Sequence, residues 1–319
     1  MTTPTTTLAA PAPAPAPAPA PQEGTPRMLR VAVPNKGALS VEAADMLREA
    51  GYRQRRDGRE LVLTDAENNV EFFYLRPRDI AVYVGAGTLD AGITGRDLLL
   101  DSGASAREVV ELGFGGSTFR FAARTGTFPR PAGHEGPVQV APEQLAGRRI
   151  ATSYAGLVAA WLVERRIEAP VVRLDGAVET AVRLGVADVI ADVVETGSTL
   201  RAAGLEVFGE PILRSEAVFV RPEHAPDDPA VDVLLRRLQG VLVARRYVLM
   251  DYDVRRVDVE RAVALTPGLE SPTVSPLHDP EWVAVRVMVP MDRTNQVMDE
   301  LYEVGAKAIL VTRIHACRL

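Results

Sequence analysis

The sequence predicts an α/β protein made of two lobes and a small closing β-α-β-β-α-β domain. Three observations carry this. From residue 29 to about 204, short apolar, β-branched runs alternate with helical patterns of about 8–15 residues, the signature of mostly parallel sheet with helices on its faces. The stretch 124–139 breaks that rhythm with three prolines, three glycines and little periodicity, and separates two such runs. After a polar, Pro/Asp-rich connector at 222–229 the chain changes order, and its last 73 residues read as the ferredoxin-like arrangement.

Taken in order, residues 1–27 stand apart. They hold eight of the 24 prolines, in near-perfect Ala-Pro alternation over 9–21. Proline removes backbone donors and fixes φ, so this tail is expected to be extended, disordered and outside the fold. It has no basic n-region and no proline-free apolar core, so it does not read as a secretory signal. Leu29–Pro34 is a buried strand. The loop Asn35-Lys36-Gly37 follows, then a helix over 40–50 with Ser40 as its cap and Gly51 at its end. Val70–Leu75 is a strand, and Pro77 opens a helix at the turn where its missing N–H does no harm. Residues 89–94 form a second buried strand, and Gly95-Arg96-Asp97 begins a helix. In the second run we expect strands at 150–153, 171–174 and 186–194, with helices at 157–166, 178–184 and from Ser198. A helix over 230–246 carries Val231, Leu234, Leu235, Leu238, Val241 and Leu242 on one face. The final domain is strand 247–254, helix 257–265, strands 271–276 and 282–289, helix 293–304 and strand 307–314.

Composition narrows the function classes. With 319 residues, 47% hydrophobic, a mean hydropathy of +0.02 and a net charge of −6, the chain is an ordinary globular sequence of about two domains, without the basic surface of a non-specific nucleic-acid binder. Cys317 is the only cysteine, which excludes an internal disulfide framework and any multi-cysteine metal site. His134, His224, His278 and His315 lack ligand spacing. No apolar run approaches the ~18 residues of a membrane span.

The most informative stretch is Asp188-Val-Ile-Ala-Asp192-Val-Val-Glu195-Thr196-Gly197-Ser198-Thr199-Leu200. An apolar strand delivers an acid, then a small-residue turn with hydroxyls, then a helix. Gly197 lets a phosphate approach the backbone, turn and helix N–H groups point at the anion, and Thr196, Ser198 and Thr199 can add hydroxyl donors. Asp192, just before the turn, suits the hydroxyl donors of a sugar. The alternative is an ordinary strand–turn–helix with Ser198 as N-cap. Lys36 follows the first strand, where a cation can meet a phosphate or simply lie on the surface. Arg96 opens a helix, against the macrodipole. Arg120 lies between Phe119 and Phe121 and points to the opposite face from both. Glu179 follows the Asp175-Gly176 turn, as a sugar or base contact or as a common helix-start glutamate. There is no GxxxxGK[ST] loop, no GxSxG elbow and no HExxH, and Gly85-Ala-Gly87 lacks the third glycine of a dinucleotide fingerprint.

Together, Leu29-Arg-Val-Ala-Val-Pro-Asn-Lys-Gly37, Gly92-Ile-Thr-Gly-Arg-Asp97, Asp188 to Leu200 and Gly305-Ala-Lys-Ala-Ile-Leu310 resemble the ATP phosphoribosyltransferases, in the long form with its own regulatory domain. The resemblance runs from about Met28 to Leu319. It implies the opening step of histidine biosynthesis in the cytoplasm: N1 of ATP attacks C1 of phosphoribosyl pyrophosphate, with Mg²⁺, giving phosphoribosyl-ATP and pyrophosphate. It implies two lobes similar to type II periplasmic binding proteins, 28–116 with 205–246 and 117–204, a histidine-sensing domain at 247–319, and homo-dimers and hexamers. Carried over, Asp192 through Thr199 hold the 5-phosphate, Glu179 and Asp192 lie near ribose and nucleotide, and Lys36, Arg96 and Arg120 face phosphates. Inhibitory L-histidine sits near Asp253, Leu269, Ser271, Thr273, Met288 and Ala308. Ala38 replaces an arginine common in the family, and the insertion near 130–138 matches nothing in it. The competing readings are a two-lobed solute-binding protein with a sensor domain, and a phosphoribosyltransferase for another base.

Overall fold

The computed structural model describes residues 27–129, 138–194 and 197–318. The expected tail (bar Arg27) and most of the 130–138 insertion therefore lie outside the described residues. The chain divides into two compact units. One holds the residues up to Ala43 and Arg55–Asp227; the other holds Ala44–Gln54 and everything from Asp228.

The first unit opens with β1 (Leu29–Pro34) and the start of α1 (Ala38–Glu49), whose residues from Ala44 belong to the other unit, followed by β2 (Val62–Asp65), β3 (Val70–Leu75), α2 (Pro77–Gly85), β4 (Ala91–Gly95), α3 (Arg96–Ser102) and β5 (Ala106–Glu111). It continues with β6 (Ser117–Arg124), β7 (Ile150–Thr152), α4 (Ala155–Glu164), β8 (Val171–Arg173), α5 (Glu179–Arg183), β9 (Val189–Val194), α6 (Ser198–Ala202), β10 (Leu205–Ser215) and β11 (Ala217–Pro222). One six-stranded sheet has the order β2-β3-β1-β4-β11-β5, and a five-stranded sheet has the order β10-β6-β9-β7-β8. The chain crosses between the sheets twice, from β5 to β6 and from β10 to β11. β11 returns antiparallel to β4 and β5. This is the two-lobed arrangement of the type II periplasmic binding proteins. The central strands β1 and β4 are buried along almost their whole length; β1 pairs parallel with β3 and β4 in the middle of this mixed sheet, and parallel strands are buried on both faces.

Several local expectations shift. α1 starts at Ala38, after Gly37 turns at φ 79°, so Ser40 lies in the first turn and is not the cap. Pro77 does open α2. Leu205–Ser215, expected with the first lobe, pairs antiparallel with β6 in the second sheet, with an irregularity between Phe208 and Leu213. Phe208 packs there against Phe121 and Phe128, which draws the strand into the second core.

The second unit contains α7 (Pro229–Arg246), β12 (Tyr247–Arg255), α8 (Val259–Leu265), β13 (Thr273–Pro276), β14 (Trp282–Pro290), α9 (Thr294–Val304) and β15 (Lys307–Arg313). Asp228 caps α7 by accepting from the Ala230 N–H at 2.9 Å. The sheet order β13-β14-β12-β15 is antiparallel throughout, which is the ferredoxin-like topology. Strand period two sorts the side chains. Val248, Met250, Tyr252 and Val254 form one core with Val283, Val285, Val287, Val297 and Leu301. The opposite face carries Leu249, Asp251, Asp253, Arg286 and Met288, and Arg286 bonds Asp251 across the strands at 2.7 Å. Among the described residues no helix is long and apolar enough to cross a membrane.

Candidate active site

β9 delivers the site. It pairs with β6 so that Asp192 stands directly across from Arg120, and cross-strand partners share a face. Phe119 and Phe121 point the other way into the core, at 0% and 3% exposure, which leaves Arg120 on the Asp192 side, as the alternation predicts. The Arg120 guanidinium donates to the Gly209 carbonyl at 2.6 Å, while its buried Nε has no partner. Asp192 accepts from the Val193 N–H at 2.8 Å. Burial pushes the Asp192 carboxyl above its ordinary range; Glu179, the first residue of α5, and Asp97 add to the rise, while the Val193 N–H and the Arg78 charge oppose it. Asp192 and Glu179 thus lie near each other toward the carboxyl end of β9, while Arg120 is paired with Asp192 across the sheet but turns its guanidinium to Gly209 on β10.

The turn after β9 reverses at Gly197, whose φ of +69° is the left-handed region that a side chain rarely adopts. Gly197 is the N-cap of α6 and gives no side-chain cap, so Ser198 is the first helical residue and not the cap. The exposed hydroxyl residues Ser198 and Thr199 therefore open the helix, where N–H groups lack intrahelical acceptors. Glu195 and Thr196 lie outside the described residues. Beside the turn is a cavity of about 460 Å³ whose lining includes Thr118, Val194, Arg214, Ser215 and Glu216.

The other expected cations are placed differently. Lys36 is exposed in the β1–α1 loop, with Ala38 exposed two residues on. Arg96, expected on a phosphate, is instead taken up by carboxylates. It donates to both oxygens of Glu108 at 2.9 and 2.7 Å and to Glu111 at 2.6 Å, with Glu216 at 3.8 Å. Those bonds hold it more firmly in its charged form. Its partners sit on β5 and at the β10–β11 crossover, so it ties α3 to the segments that join the lobes.

Sequence reasoning missed a group at the junction of the lobes. Arg78 lies in the first turn of α2. Its guanidinium pairs with Asp101 at 2.5 Å and sits 4.8 Å above the Tyr154 ring. Tyr154 immediately precedes α4; burial pushes its hydroxyl pKa up, with the Asp97 charge next in effect. Asp97 is buried and bonds Ser215 twice, accepting from the hydroxyl at 2.7 Å and donating its own N–H to Oγ at 3.0 Å. The signal for Arg78 was present: a cation in the first turn of a helix opposes the macrodipole, the same argument that singled out Arg96.

In the second unit, Asp253, Thr273 and Met288 lie on the face of the sheet away from α8 and α9, paired with Ala284, Arg286 and Leu249. Leu269 and Ser271 are exposed in the segment leading to β13. Ala308 has φ +49° where the β12–β15 register shifts.

Residues 76–240 match the family described as ATP phosphoribosyltransferase, and residues 244–316 match that described as HisG, C-terminal domain. The ATP phosphoribosyltransferase of Pseudarthrobacter chlorophenolicus is 65% identical over 295 residues, which is 92% of this chain and 100% of that protein. That of Streptomyces coelicolor is 63% identical over 296 residues, with the same coverage. A chain of the ATP phosphoribosyl transferase (HisG:HisZ) complex from Thermotoga maritima superposes with a TM-score of 0.55 at 25% identity, over 67% of this chain and 98% of that one. The chain therefore belongs to the ATP phosphoribosyltransferase family, in the long form that carries the C-terminal domain.

Proposed function

We propose that the family's reaction, the first step of histidine biosynthesis from ATP and phosphoribosyl pyrophosphate, takes place at the carboxyl end of β9. The observation that carries this reading is the buried Asp192, with Glu179 acting on it, just before the positive-φ turn at Gly197; Arg120 stands across the sheet from Asp192. The 5-phosphate sits on the Gly197–Ser198–Thr199 turn, with Glu195 and Thr196 completing the loop. Asp192 accepts from the ribose hydroxyls.

The nucleophile, N1 of adenine, is unprotonated at neutral pH, so the chemistry requires no strong general base. The barrier is departure of pyrophosphate from an oxocarbenium-like carbon. Asp192 and Glu179 stabilise the positive sugar, and Arg78, Arg120 and Lys36 offset charge on the phosphates. Arg96 acts at a distance, through Glu108, Glu111 and Glu216. Among the described residues no cluster of three metal-ligating side chains exists. Mg²⁺ binds through one or two carboxylates plus substrate phosphates and keeps several waters, and the neighbouring carboxylates Asp192 and Glu179 fit that donor set. Asp192 and Glu179 are the carboxylates that would hold it, and when bound it supplies charge neutralisation to the leaving group.

Feedback inhibition by L-histidine belongs to the same proposal, on the open face of the second unit's sheet at Asp253, Thr273 and Met288, with Leu269, Ser271 and Ala308 at its margin. So do cytoplasmic location and homo-oligomer assembly, with that sheet as the regulatory element. Purified Asp192→Asn and Thr199→Ala, assayed for pyrophosphate release, test the site. Loss of turnover with retained folding is expected in both, and wild-type turnover in both overturns it.

A further inference from the structure

The two lobes of the first unit meet at a contact that the reaction scheme does not use. Asp101, in α3 of the first lobe, is only 10% exposed at its side chain. Its Oδ1 accepts from the N–H groups of Gly156 and Leu157, at 2.9 and 3.1 Å, in the first turn of α4 of the second lobe. Its Oδ2 accepts from Arg78 at 2.5 Å. α4 has no cap of its own: Tyr154 stands at the N-cap with no side-chain bond. The cap comes from the other lobe, and it is the same carboxylate that aims Arg78. The approach is close enough to require glycine. A Cβ on Gly156 would lie 2.2 Å from the Asp101 carbonyl oxygen.

We propose that Asp101 is a positioning residue for phosphoribosyl transfer, one carboxylate that both closes the second lobe onto the first and orients Arg78 toward the sugar phosphates. This rests on the reading of Asp192 and Arg78 as part of the active site. Physically, a carboxylate at a helix N-terminus is stabilised by the macrodipole and by the orphan N–H groups, and here that attraction acts across the cleft. When the lobes part, the α4 N–H groups and Asp101 Oδ1 exchange each other for water, and Arg78 loses the contact that fixes its direction. The contact fixes where Arg78 and the second lobe stand for the chemical step, and without it the reacting groups are misaligned. Its loss therefore falls on kcat and not chiefly on KM.

The test compares Asp101→Ala, Asp101→Asn and Gly156→Ala in the full chain, with steady-state kinetics in phosphoribosyl pyrophosphate and thermal melting. Misplacing reacting groups by about 1 Å costs on the order of 10²-fold. Asp101→Ala and Gly156→Ala should each lose roughly that factor in kcat, with KM changed less than about threefold on the same principle. Asp101→Asn, which keeps an acceptor for the helix but not the charge, should fall between Asp101→Ala and wild type. Gly156→Ala removes no polar group and adds a methyl, so it probes closure if Asp101→Ala folds poorly. Wild-type kcat in a folded Gly156→Ala, or a Tm loss with unchanged turnover per folded molecule in both Asp101 variants, would overturn the proposal. Asp192→Asn in the same assay separates the two readings. If Asp192→Asn retains wild-type turnover while the Asp101 and Gly156 variants lose theirs, the site reading fails and the positioning role stands.

Discussion

At the scale of single residues, burial and charge divide the acids of the first unit into two kinds. Asp188, at the start of β9, receives three bonds from Arg149: from Nη2 to Oδ1 at 2.8 Å, and from the backbone N–H and Nε to Oδ2 at 2.9 and 3.2 Å. They hold its carboxyl down at about 2. Its folded pKa is depressed, so its stabilisation is present above the unfolded value near 4 and is lost as pH falls toward 2. The pair is exposed, so solvent screens it and its contribution to stability is small. Asp188→Asn should therefore lower the Tm slightly at pH 7 and leave it unchanged near pH 2, as acid-series melting would show. Equal losses at both pH values would contradict this. Asp192 is the opposite case. Its folded pKa is raised, so its ionised form opposes folding above the unfolded pKa, and this cost disappears as pH falls. Asp192→Asn should raise the Tm at pH 7 while lowering turnover at least about a hundredfold, a trade of stability for function. Neither sign is visible in the sequence, because both acids lie within five residues of each other and only their distant partners and burial differ.

At the scale of elements, what could be read follows from how local the cause is. Pro77 starting α2 and the strand expected at 247–254 are written in adjacent residues, and both appear where expected. The α7 cap is equally local. Asp228→Ala should destabilise the second unit by about 1 kcal/mol, because a helix start loses its side-chain acceptor. A melt of the full chain checks this, and an unchanged transition would refute the cap. β5, β6, β10 and β11 have non-local causes. β10 contains Gly209 and Pro211 and shifts register midway, so its run Leu205–Ser215 has no strand signature, and only its partner β6 identifies it. The same non-locality hid the partners of Arg96. Its helix position was correctly noticed, but Glu108 and Glu111 lie on an unassigned strand, and Glu216 is 120 residues away. Arg78 was missed although its local signal was equal, since its partners Asp101 and Tyr154 become neighbours only when the lobes fold together.

For the whole molecule, the sequence supported two α/β lobes and a βαββαβ domain, and both are present. The lobe bound implied at residue 205 falls inside the second sheet, because Leu205–Ser215 pairs with β6 before the chain crosses back at β11. The open face of the second unit's sheet gives the regulatory reading a defined target. Asp253→Ala should raise the histidine concentration for half-inhibition about tenfold, the loss expected on removing one charged hydrogen-bonding partner; an unshifted titration would remove Asp253 from that site. The reaction itself depends on one claim, that the carboxyl end of β9 is where phosphoribosyl transfer occurs. The direct measurement is pyrophosphate release from ATP and phosphoribosyl pyrophosphate with Mg²⁺, for wild type and Asp192→Asn side by side, with folding checked by melting. The structure predicts turnover by the wild type and a loss of about a hundredfold or more in a folded Asp192→Asn. Equal rates in the two proteins would contradict it.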